Sequence, residues 1–246
     1  MKHLRVQIPA FNERDTIERV VRDVLAACDG LVASKRVART SVLLIDDGST
    51  DGTAAIIDRL VAQDARLAVL RHGANVGLGR SFREGVALAL EADADYLAHI
   101  DADGQFEPAQ LPRLVDVARE QHVDLVLGSR GPQQLATPPA PVTHRLGTRA
   151  LAWLVSRVAG QRFFDVTCGF RVYSRKALER MRLDSDFTYT QQSLLSCVFL
   201  GLQVSEVRLD VRGRREHGRS SISSNLPRYA LHALVDIARV WVAHQR

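Results

Sequence analysis

Two aspartates stand one residue apart at the end of a short, mostly apolar segment in the middle of the chain. Asp101 and Asp103 follow residues 97–100 (LAHI), and Pro108 opens an amphipathic segment beyond them. Side chains at positions i and i+2 of an extended chain point to the same side, so the two carboxylates can converge. Close like charges repel, and a divalent cation that prefers oxygen ligands relieves that repulsion. The spacing therefore favours a metal site, with a solvated acidic turn as the alternative.

Acidic and amide side chains also end two earlier segments of strand character. Asn12 and Glu13 follow residues 4–9, and Asp47 follows the apolar residues 41–46. Because the carboxyl ends of parallel strands share one edge of a sheet, these groups and the aspartate pair can meet. Carboxylates and amides can hydrogen-bond a base and ribose, and the aspartate pair suits a metal on a diphosphate. Each group taken singly can be a cap or a turn residue, but three successive strand ends predict a binding site.

The elements that must position these groups alternate between strand and helix. Apolar periodicity predicts strands at 4–9, 41–46, 67–70, 97–100, 124–128, 170–173 and 204–211, and helices at 17–25, 54–61, 81–92, from 108, 145–159, 189–200 and 226–244. Residues 29–41 are predicted to be a surface connection and 131–143 a mobile loop. The alternation predicts an α/β fold, with a mostly parallel central sheet flanked by helices and a Rossmann-like nucleotide-binding half.

Composition narrows the class of protein. The 246 residues are 46% hydrophobic, enough for a sizeable core, and the net charge of +5 suggests an anionic partner such as phosphates, nucleic acid or an anionic membrane. A solvated basic surface is the alternative. Cys28, Cys168 and Cys197 are scattered without CxxC spacing, which argues against a disulfide framework or a zinc site and for a reducing compartment. No signal peptide and no apolar segment near the ~18 residues that span a bilayer are predicted.

Several motifs share order and spacing with the family 2 glycosyltransferases. Residues 8–13 (IPAFNE), 46–53 (DDGSTDGT), 75–77 (NVG) and 101–105 (DADGQ) resemble that family, and residues 128–130 (GSR), 165–171 (DVTCGFR), 206–207 (EV) and 215–220 (REHGRS) continue the match. The ordered set most resembles the dolichol- or polyprenyl-phosphate mannose synthase branch. The resemblance implies a GT-A fold and an inverting, metal-dependent transfer of a sugar from a nucleotide-diphosphate donor. The resemblance covers roughly residues 4–222 and implies a catalytic domain at 1–222, and the residue pattern beyond it predicts an amphipathic helix at 223–246.

The resemblance also implies a role for individual residues. Pro9, Ala10, Asn12, Glu13 and Asp47 would hold base and ribose, Asp101 and Ala102 would flank the donor, and Asp103, Gln105 and Asp101 would ligate Mg²⁺ or Mn²⁺. Arg215 and Ser220 would close over the donor phosphates, and Arg130 and Arg145 would meet an acceptor phosphate. Asp101, Asp103, Arg130 and Arg215 make up the implied catalytic set. The alternative for any one of these arginines is a surface charge.

Two departures from the family pattern bear on substrate. The closing segment reads Gly-Arg-Ser-Ser at 218–221 where the family usually has Gly-x-Ser-Lys, so Arg219 or Arg214 replaces the lysine charge or donor affinity is weaker. Many relatives with hydroxyl acceptors carry an acidic base near the helix that begins here at 189–192 (YTQQ), where this chain has Gln191 and Gln192.

A glutamine cannot take a proton, whereas an acceptor that is already a phosphate anion needs no base. The glutamine pair therefore fits polyprenyl phosphate as the acceptor. The alternative is a base elsewhere, at Asp165 or Asp186.

Rival functions and partners remain open at this point. A family 2 transferase with a soluble hydroxyl acceptor and a non-catalytic nucleotide-sugar-binding module are the alternatives, while an oxidoreductase is disfavoured because no GxGxxG follows the first strand. The last helix, preceded by the arginine-rich residues 212–219, suits a membrane surface, the protein's own core or a second subunit. The predicted location is cytoplasmic, including peripheral binding at the inner face of the membrane. No nucleic-acid partner is predicted.

Overall fold

A single sheet carries the site. Within residues 2–130, 142–210 and 226–244, which the computed structural model describes, the strands are β1 (His3–Ala10), β2 (Arg39–Asp46), β3 (Leu67–Arg71), β4 (Tyr96–His99), β5 (Leu125–Arg130), β6 (Arg171–Ser174) and β7 (Val204–Leu209). They form one seven-stranded sheet in the order β3-β2-β1-β4-β6-β5-β7. The helices are α1 (Ile17–Ala33), α2 (Thr53–Gln63), α3 (Leu78–Glu91), α4 (Leu111–Glu120), α5 (Val142–Ala159), α6 (Arg175–Arg180), α7 (Thr190–Phe199) and α8 (Leu226–His244), and a 3-10 turn at Pro108–Gln110 leads into α4.

Strand direction decides which chain segments meet. β1, β2, β3 and β4 pair in parallel, as do β5 and β7, whereas β6 is antiparallel to both of its neighbours, β4 and β5. Since β4 and β5 both oppose β6, they run in the same direction as each other. The carboxyl ends of β1, β2, β4 and β5 therefore share one edge of the sheet, and β6 begins at that edge. The predicted α/β fold with a mostly parallel sheet is confirmed.

Two apolar cores cover the two faces of the sheet. The first joins the sheet to α1, α2 and α4, and the second joins it to α3, α5, α6, α7 and α8. The central strands are buried on both sides, which explains why residues 42–45 (VLLI) are apolar throughout rather than alternating. Because both faces of these strands are packed, the strand ends at the shared edge have fixed positions.

Several predicted boundaries were wrong. Helix α1 continues to Ala33 because Cys28 and Leu31 extend its buried face, so it takes in residues 29–33 of the predicted surface connection. Helix α3 begins at Leu78 rather than at residue 81, and α5 begins at Val142, inside the predicted loop at 131–143. The rest of that loop, 131–141, lies outside the described residues.

The short helix α6 was not predicted. Its start has a recognisable signal, because the side chain of Ser174 accepts a hydrogen bond of 3.2 Å from the backbone N–H of Ala177. A serine in this position is typical of a helix N-cap. The antiparallel direction of β6 was not predicted either.

The last helix, α8, has two different faces. Ala233, Asp236 and Ile237 are buried, in part against α7, whereas Leu234 and Trp241 are exposed. One face of α8 thus packs on the second apolar core. In the described ranges, no helix is both long and apolar enough to cross a membrane.

Candidate active site

The loops after β1 and β2 are tied together at the shared edge. The Oδ1 atom of Asn12 accepts a hydrogen bond of 2.8 Å from the backbone N–H of Thr50, and the backbone N–H of Asn12 donates to Ser49 Oγ at 3.1 Å. The backbone N–H of Glu13 donates to Thr53 Oγ1 at 2.9 Å. Asn12 has a φ of 57°, a left-handed conformation that asparagine tolerates better than most residues. These bonds hold the predicted base- and ribose-binding segment in one shape, next to the half-buried Pro9 and the buried Ala10.

Asp47 joins the end of β2 to the loop that carries the NVG motif at 75–77. Its Oδ1 accepts a hydrogen bond from the backbone N–H of Val76 at 3.0 Å, and its Oδ2 accepts one from Gly77 at 3.2 Å. Gly77 has a φ of 94°, and a Cβ there would collide with the carbonyl oxygen of Asp186. A glycine is therefore required where this loop passes between Asp47 and the chain at 186. The carboxylate that is implied to hold the donor also holds the loop beside it.

His72 bridges Asp47 to Glu84 on α3. Its Nδ1 lies 2.7 Å from Asp47 Oδ1, and its Nε2 lies 2.8 Å from Glu84 Oε2. Burial lowers the pKa of His72, but the hydrogen bonds to the two carboxylates outweigh burial and raise it above its ordinary value of 6.5. The protonated imidazole donates from both ring nitrogens and fits this pair of acceptors.

The His72 bridge predicts a pH-dependent stability. A pKa raised in the folded state adds stability that is fully present below the unfolded value of 6.5 and is lost as the pH rises through the folded value. We expect His72→Gln to lower the free energy of unfolding by about 1–2 kcal/mol at pH ~6 and by less at pH ~8.5. Urea unfolding of both proteins at the two pH values measures this, with His244→Gln on the exposed end of α8 as the control. An equal loss of unfolding free energy at the two pH values would contradict this prediction.

The aspartate pair lies in a turn rather than on extended chain. β4 ends at His99, and the φ of 69° at Gly104 turns the chain just after Asp103. The same-side spacing of a strand therefore does not apply, and the turn brings Asp101 and Asp103 to the sheet edge. The carboxylate of Asp101 has its Oδ1 3.4 Å from His99 Nε2 and packs directly on Gly169, where a Cβ would collide with its Oδ2.

The turn offers hard oxygen ligands. Asp103 and Gln105 are half-buried, Ala102 between the aspartates is buried, and Asp103 Oδ1 accepts the backbone N–H of Gln105 at 3.0 Å. In the part of the chain that is described, three or more His, Cys, Asp or Glu side chains do not cluster as a metal cage. Mg²⁺ and Mn²⁺ suit a site with one or two carboxylates whose remaining ligands are water and phosphate oxygens. The residues present fit a cation that shares its ligands with a diphosphate.

Arg130, at the end of β5, forms a buried ion pair. Its Nε and Nη2 donate to the two carboxylate oxygens of Asp165 at 2.6 and 3.0 Å, and Nη2 also donates to Thr167 Oγ1 at 2.6 Å. Burial alone raises the pKa of Asp165, but the Arg130 charge and its hydrogen bonds outweigh burial and hold the pKa below 3.8. The Arg130 side chain remains 20% exposed at the sheet edge, whereas Asp165 is fully buried. A carboxylate so engaged is a poor proton acceptor, which argues against Asp165 as the general base.

Glu206 and Arg171, which lie in motifs shared with the family, hold the loop before β6. The carboxylate of Glu206 accepts the backbone N–H groups of Phe164 and Asp165 at 2.8–3.1 Å. Arg171 is fully buried and donates to the carbonyl oxygens of Val166, Cys168 and Thr190 at 3.0, 2.8 and 2.7 Å. Arg171 thus ties the loop that carries Gly169 to the start of α7. The type and position of these side chains gave no signal of that role.

The glutamine pair at the start of α7 is buried. The side chain of Gln192 accepts the backbone N–H groups of Asp184 and Ser185 at 3.1 Å each, so it braces the segment before α7. Gln191 accepts a hydrogen bond of 2.9 Å from Thr190 Oγ1. Asp186, the other candidate base, is exposed and forms an ion pair with Arg83 of α3.

The structure does not place every predicted residue. Arg215 and Ser220 lie outside the described residues, as does the basic segment at 212–221. Arg145 lies on α5, but its side chain is outside the described part. The structure brings Asn12, Glu13, Asp47, Asp101, Asp103 and Arg130 to one edge of the sheet.

Comparison with known proteins identifies the protein family and the fold. Residues 6–182 match the family model described as Glycosyl transferase family 2. The chain belongs to this family and is a glycosyltransferase. A glucosyl-3-phosphoglycerate synthase from Mycobacterium tuberculosis, solved with Mn²⁺, uridine diphosphate and phosphoglyceric acid, superposes with a TM-score of 0.70 at 19% identity, over 98% of this chain and 78% of that one. The GT-A fold is confirmed.

Two relatives show which branch of the family the chain resembles. The polyprenol monophosphomannose synthase of Mycolicibacterium smegmatis is 30% identical over 241 residues, which is 94% of this chain and 85% of that protein. The undecaprenyl-phosphate mannosyltransferase of Micrococcus luteus is 29% identical, over 89% of this chain and 87% of that protein. The predicted resemblance to polyprenyl-phosphate mannose synthases is confirmed.

Proposed function

We propose that this glycosyltransferase transfers a sugar, with inversion, from a nucleotide-diphosphate sugar to polyprenyl phosphate, with Mg²⁺ or Mn²⁺ bound. The observation that carries the proposal is the meeting of four parallel strand ends, which brings Asn12, Asp47, the aspartate turn and Arg130 to one edge. Ligands of open α/β sheets bind at this edge. The names of the two relatives support the acceptor.

The donor would lie across the ends of β1, β2 and β4. Asn12, Glu13 and Asp47 present amide and carboxylate oxygens that accept hydrogen bonds from a base and a ribose. Asp103, with Asp101 and Gln105, would hold the cation against the diphosphate. A bound cation would neutralise the charge that develops on the leaving diphosphate. Arg215 and Ser220 remain the proposed residues that close over the phosphates.

The acceptor would approach from the side of β5. Arg130 would present the partly exposed side of its guanidinium there, held in place by its ion pair with Asp165, and Arg145 is the second proposed contact. A phosphate oxygen of the acceptor attacks the anomeric carbon as the bond from that carbon to the diphosphate breaks. No proton has to be removed from a phosphate anion, which agrees with neutral Gln191 and Gln192 and with the engaged carboxylate of Asp165. A single displacement of this kind inverts the anomeric configuration.

A matched pair of acceptors tests the proposal. The full chain is incubated with Mn²⁺, a panel of UDP- and GDP-sugars, and either a polyprenyl phosphate or the polyprenol that lacks the phosphate. We expect release of nucleoside diphosphate and a glycolipid of inverted configuration with the phosphate acceptor only. Transfer to the polyprenol or to a soluble glycan instead would contradict the acceptor. The failure of every donor to release nucleoside diphosphate would favour a binding module.

A membrane surface is the proposed partner of the exposed helices. Arg149, Trp153 and Arg157 stand four residues apart along one exposed stripe of α5, and the side chain of Trp153 is 66% exposed. α5 contacts α8, whose outer face exposes Leu234 and Trp241. Indole rings flanked by arginines suit the interface of an anionic bilayer, where the acceptor lipid resides.

Binding to vesicles checks the membrane proposal. We expect the wild type to cosediment with vesicles that contain anionic phospholipid at low salt and to dissociate as salt rises, since each basic residue near such a surface contributes about 1 kcal/mol. Trp153→Ser should weaken binding, whereas Arg59→Ser, on the distant helix α2, should not. The absence of binding at low salt with the lipid acceptor present would contradict a membrane role, and a second subunit would then be sought by light scattering.

A further inference from the structure

A buried pair of polar side chains lies directly behind Asp101. Gln7 on β1 and His99 on β4 are paired across the sheet and are both fully buried. The Nε2 of Gln7 lies 2.9 Å from the Nδ1 of His99, and the Nε2 of His99 lies 3.4 Å from Asp101 Oδ1. A chain of polar contacts therefore runs from inside the sheet to a carboxylate at its edge. Burying polar groups costs free energy unless they are hydrogen-bonded, so we expect this row of contacts to have a function.

The ring of His99 is held in one orientation. The rings of Phe82 and Tyr189 stack on each other with centroids 3.9 Å apart, and each lies against His99, at 5.5 and 4.7 Å. Gln7 is held as well, because α3 crosses it at Gly85, where a Cβ would collide with the Gln7 side chain. Neither side chain can move far without disturbing the packing around it.

Hydrogen-bond chemistry then fixes the proton on the imidazole. A carboxylate only accepts hydrogen bonds, so the His99 nitrogen that faces Asp101 must carry a proton to be attracted to it. The other nitrogen, Nδ1, can then accept the amide N–H of Gln7, which lies 2.9 Å away. In the opposite neutral tautomer, with the Gln7 amide reversed, a lone pair of Nε2 would face the carboxylate and repel it.

We infer that His99, oriented by Gln7, is a positioning residue that donates from Nε2 to Asp101 and holds its carboxylate toward the donor. The inference rests on the proposed donor site, in which Asp101 flanks the sugar nucleotide. Gly169 packs closely against the same carboxylate, and this contact also limits rotation of the Asp101 side chain.

Two substitutions of His99 separate positioning from packing. The amide nitrogen of glutamine lies as many bonds from Cα as the histidine Nε2, so His99→Gln keeps a donor for Asp101. Asparagine reaches only the place of Nδ1, so His99→Asn keeps the contact with Gln7 and loses the one with Asp101. We expect kcat/KM for sugar transfer to fall about 10- to 100-fold in His99→Asn and by less than about threefold in His99→Gln. His3→Gln, at the far end of β1, is the control for replacing a buried histidine.

The tautomer gives a test that does not depend on turnover. In long-range ¹H–¹⁵N spectra of the wild type, we expect Nε2 of His99 to carry a proton, with the signal assigned by its loss in His99→Gln. An Nε2 without a proton overturns the inference, as do two variants that equal the wild type or lose activity equally. If His99→Asn does not fold, the wild-type spectrum alone tests the inference, since it shows whether Nε2 of His99 carries a proton. If the wild type transfers no sugar, the proposed function fails, and the spectrum still decides the tautomer.

Discussion

Asp103→Ala is expected to abolish sugar transfer while leaving the fold intact. Asp103 lies half-buried in the turn after β4, outside the two apolar cores, so its loss removes little packing. In the proposed site it is the principal protein ligand of the cation. The loss of electrostatic stabilisation at one position in a transition state lowers kcat by about 10²–10³, and we expect at least that loss here. The measurement is kcat with donor and polyprenyl phosphate at saturating Mn²⁺.

Binding of the cation separates the metal role from other causes of inactivity. Titration of Mn²⁺ by electron paramagnetic resonance, in the presence of nucleoside diphosphate, should show tight binding to the wild type and weak binding to Asp103→Ala. Asp29→Ala removes an exposed carboxylate that forms an ion pair with Arg66, far from the aspartate turn in sequence, and it should behave as the wild type. Transfer at the wild-type rate by Asp103→Ala, or by enzyme stripped with a chelator, would show that the metal role is wrong.

The sequence predicted most of the sheet because the pattern of each segment agrees with its surroundings. Residues 42–45 are apolar on both sides, as a strand with helices on both faces must be, and the acidic and amide groups follow such strands. The edge that gathers Asn12, Asp47 and Asp101 follows from parallel pairing alone. Those parts of the site depend on the local residue pattern and on strand direction, and a single sequence predicts both of these.

Other parts of the site depend on contacts between distant segments. The bond from Glu206 to the loop at 164–165 joins residues 41–42 positions apart, and nothing in either segment specifies the other. The role of Arg171 is hidden for the same reason, since an arginine beside a strand usually lies at the surface. β6 is only four residues long, and its antiparallel direction is set by its neighbours β4 and β5. Such features belong to the tertiary structure.

Asp165→Asn is expected to be the most destabilising of the substitutions considered. The fully buried carboxylate accepts hydrogen bonds from Arg130 and from the backbone and hydroxyl of Thr167. An asparagine carries no charge, and its NH₂ group would face donors of Arg130. Breaking a buried ion pair from one side costs about 3–5 kcal/mol, which lowers the melting temperature of a chain of this size by roughly 6–20 °C. Calorimetry and urea unfolding measure both quantities.

The matched control for Asp165→Asn is Asp186→Asn. Asp186 also forms an ion pair with an arginine, Arg83, but it is exposed, so its loss should cost less than about 1 kcal/mol. The pH dependence gives a second check. The pKa of Asp165 is held below 3.8, so the stability it adds is present above that value and is lost as the pH falls through the folded value. The difference in unfolding free energy between wild type and Asp165→Asn should therefore stay level from pH ~8 to ~5 and narrow below ~4. A loss no larger than that of Asp186→Asn would show that the Arg130–Asp165 pair does not stabilise the end of β5.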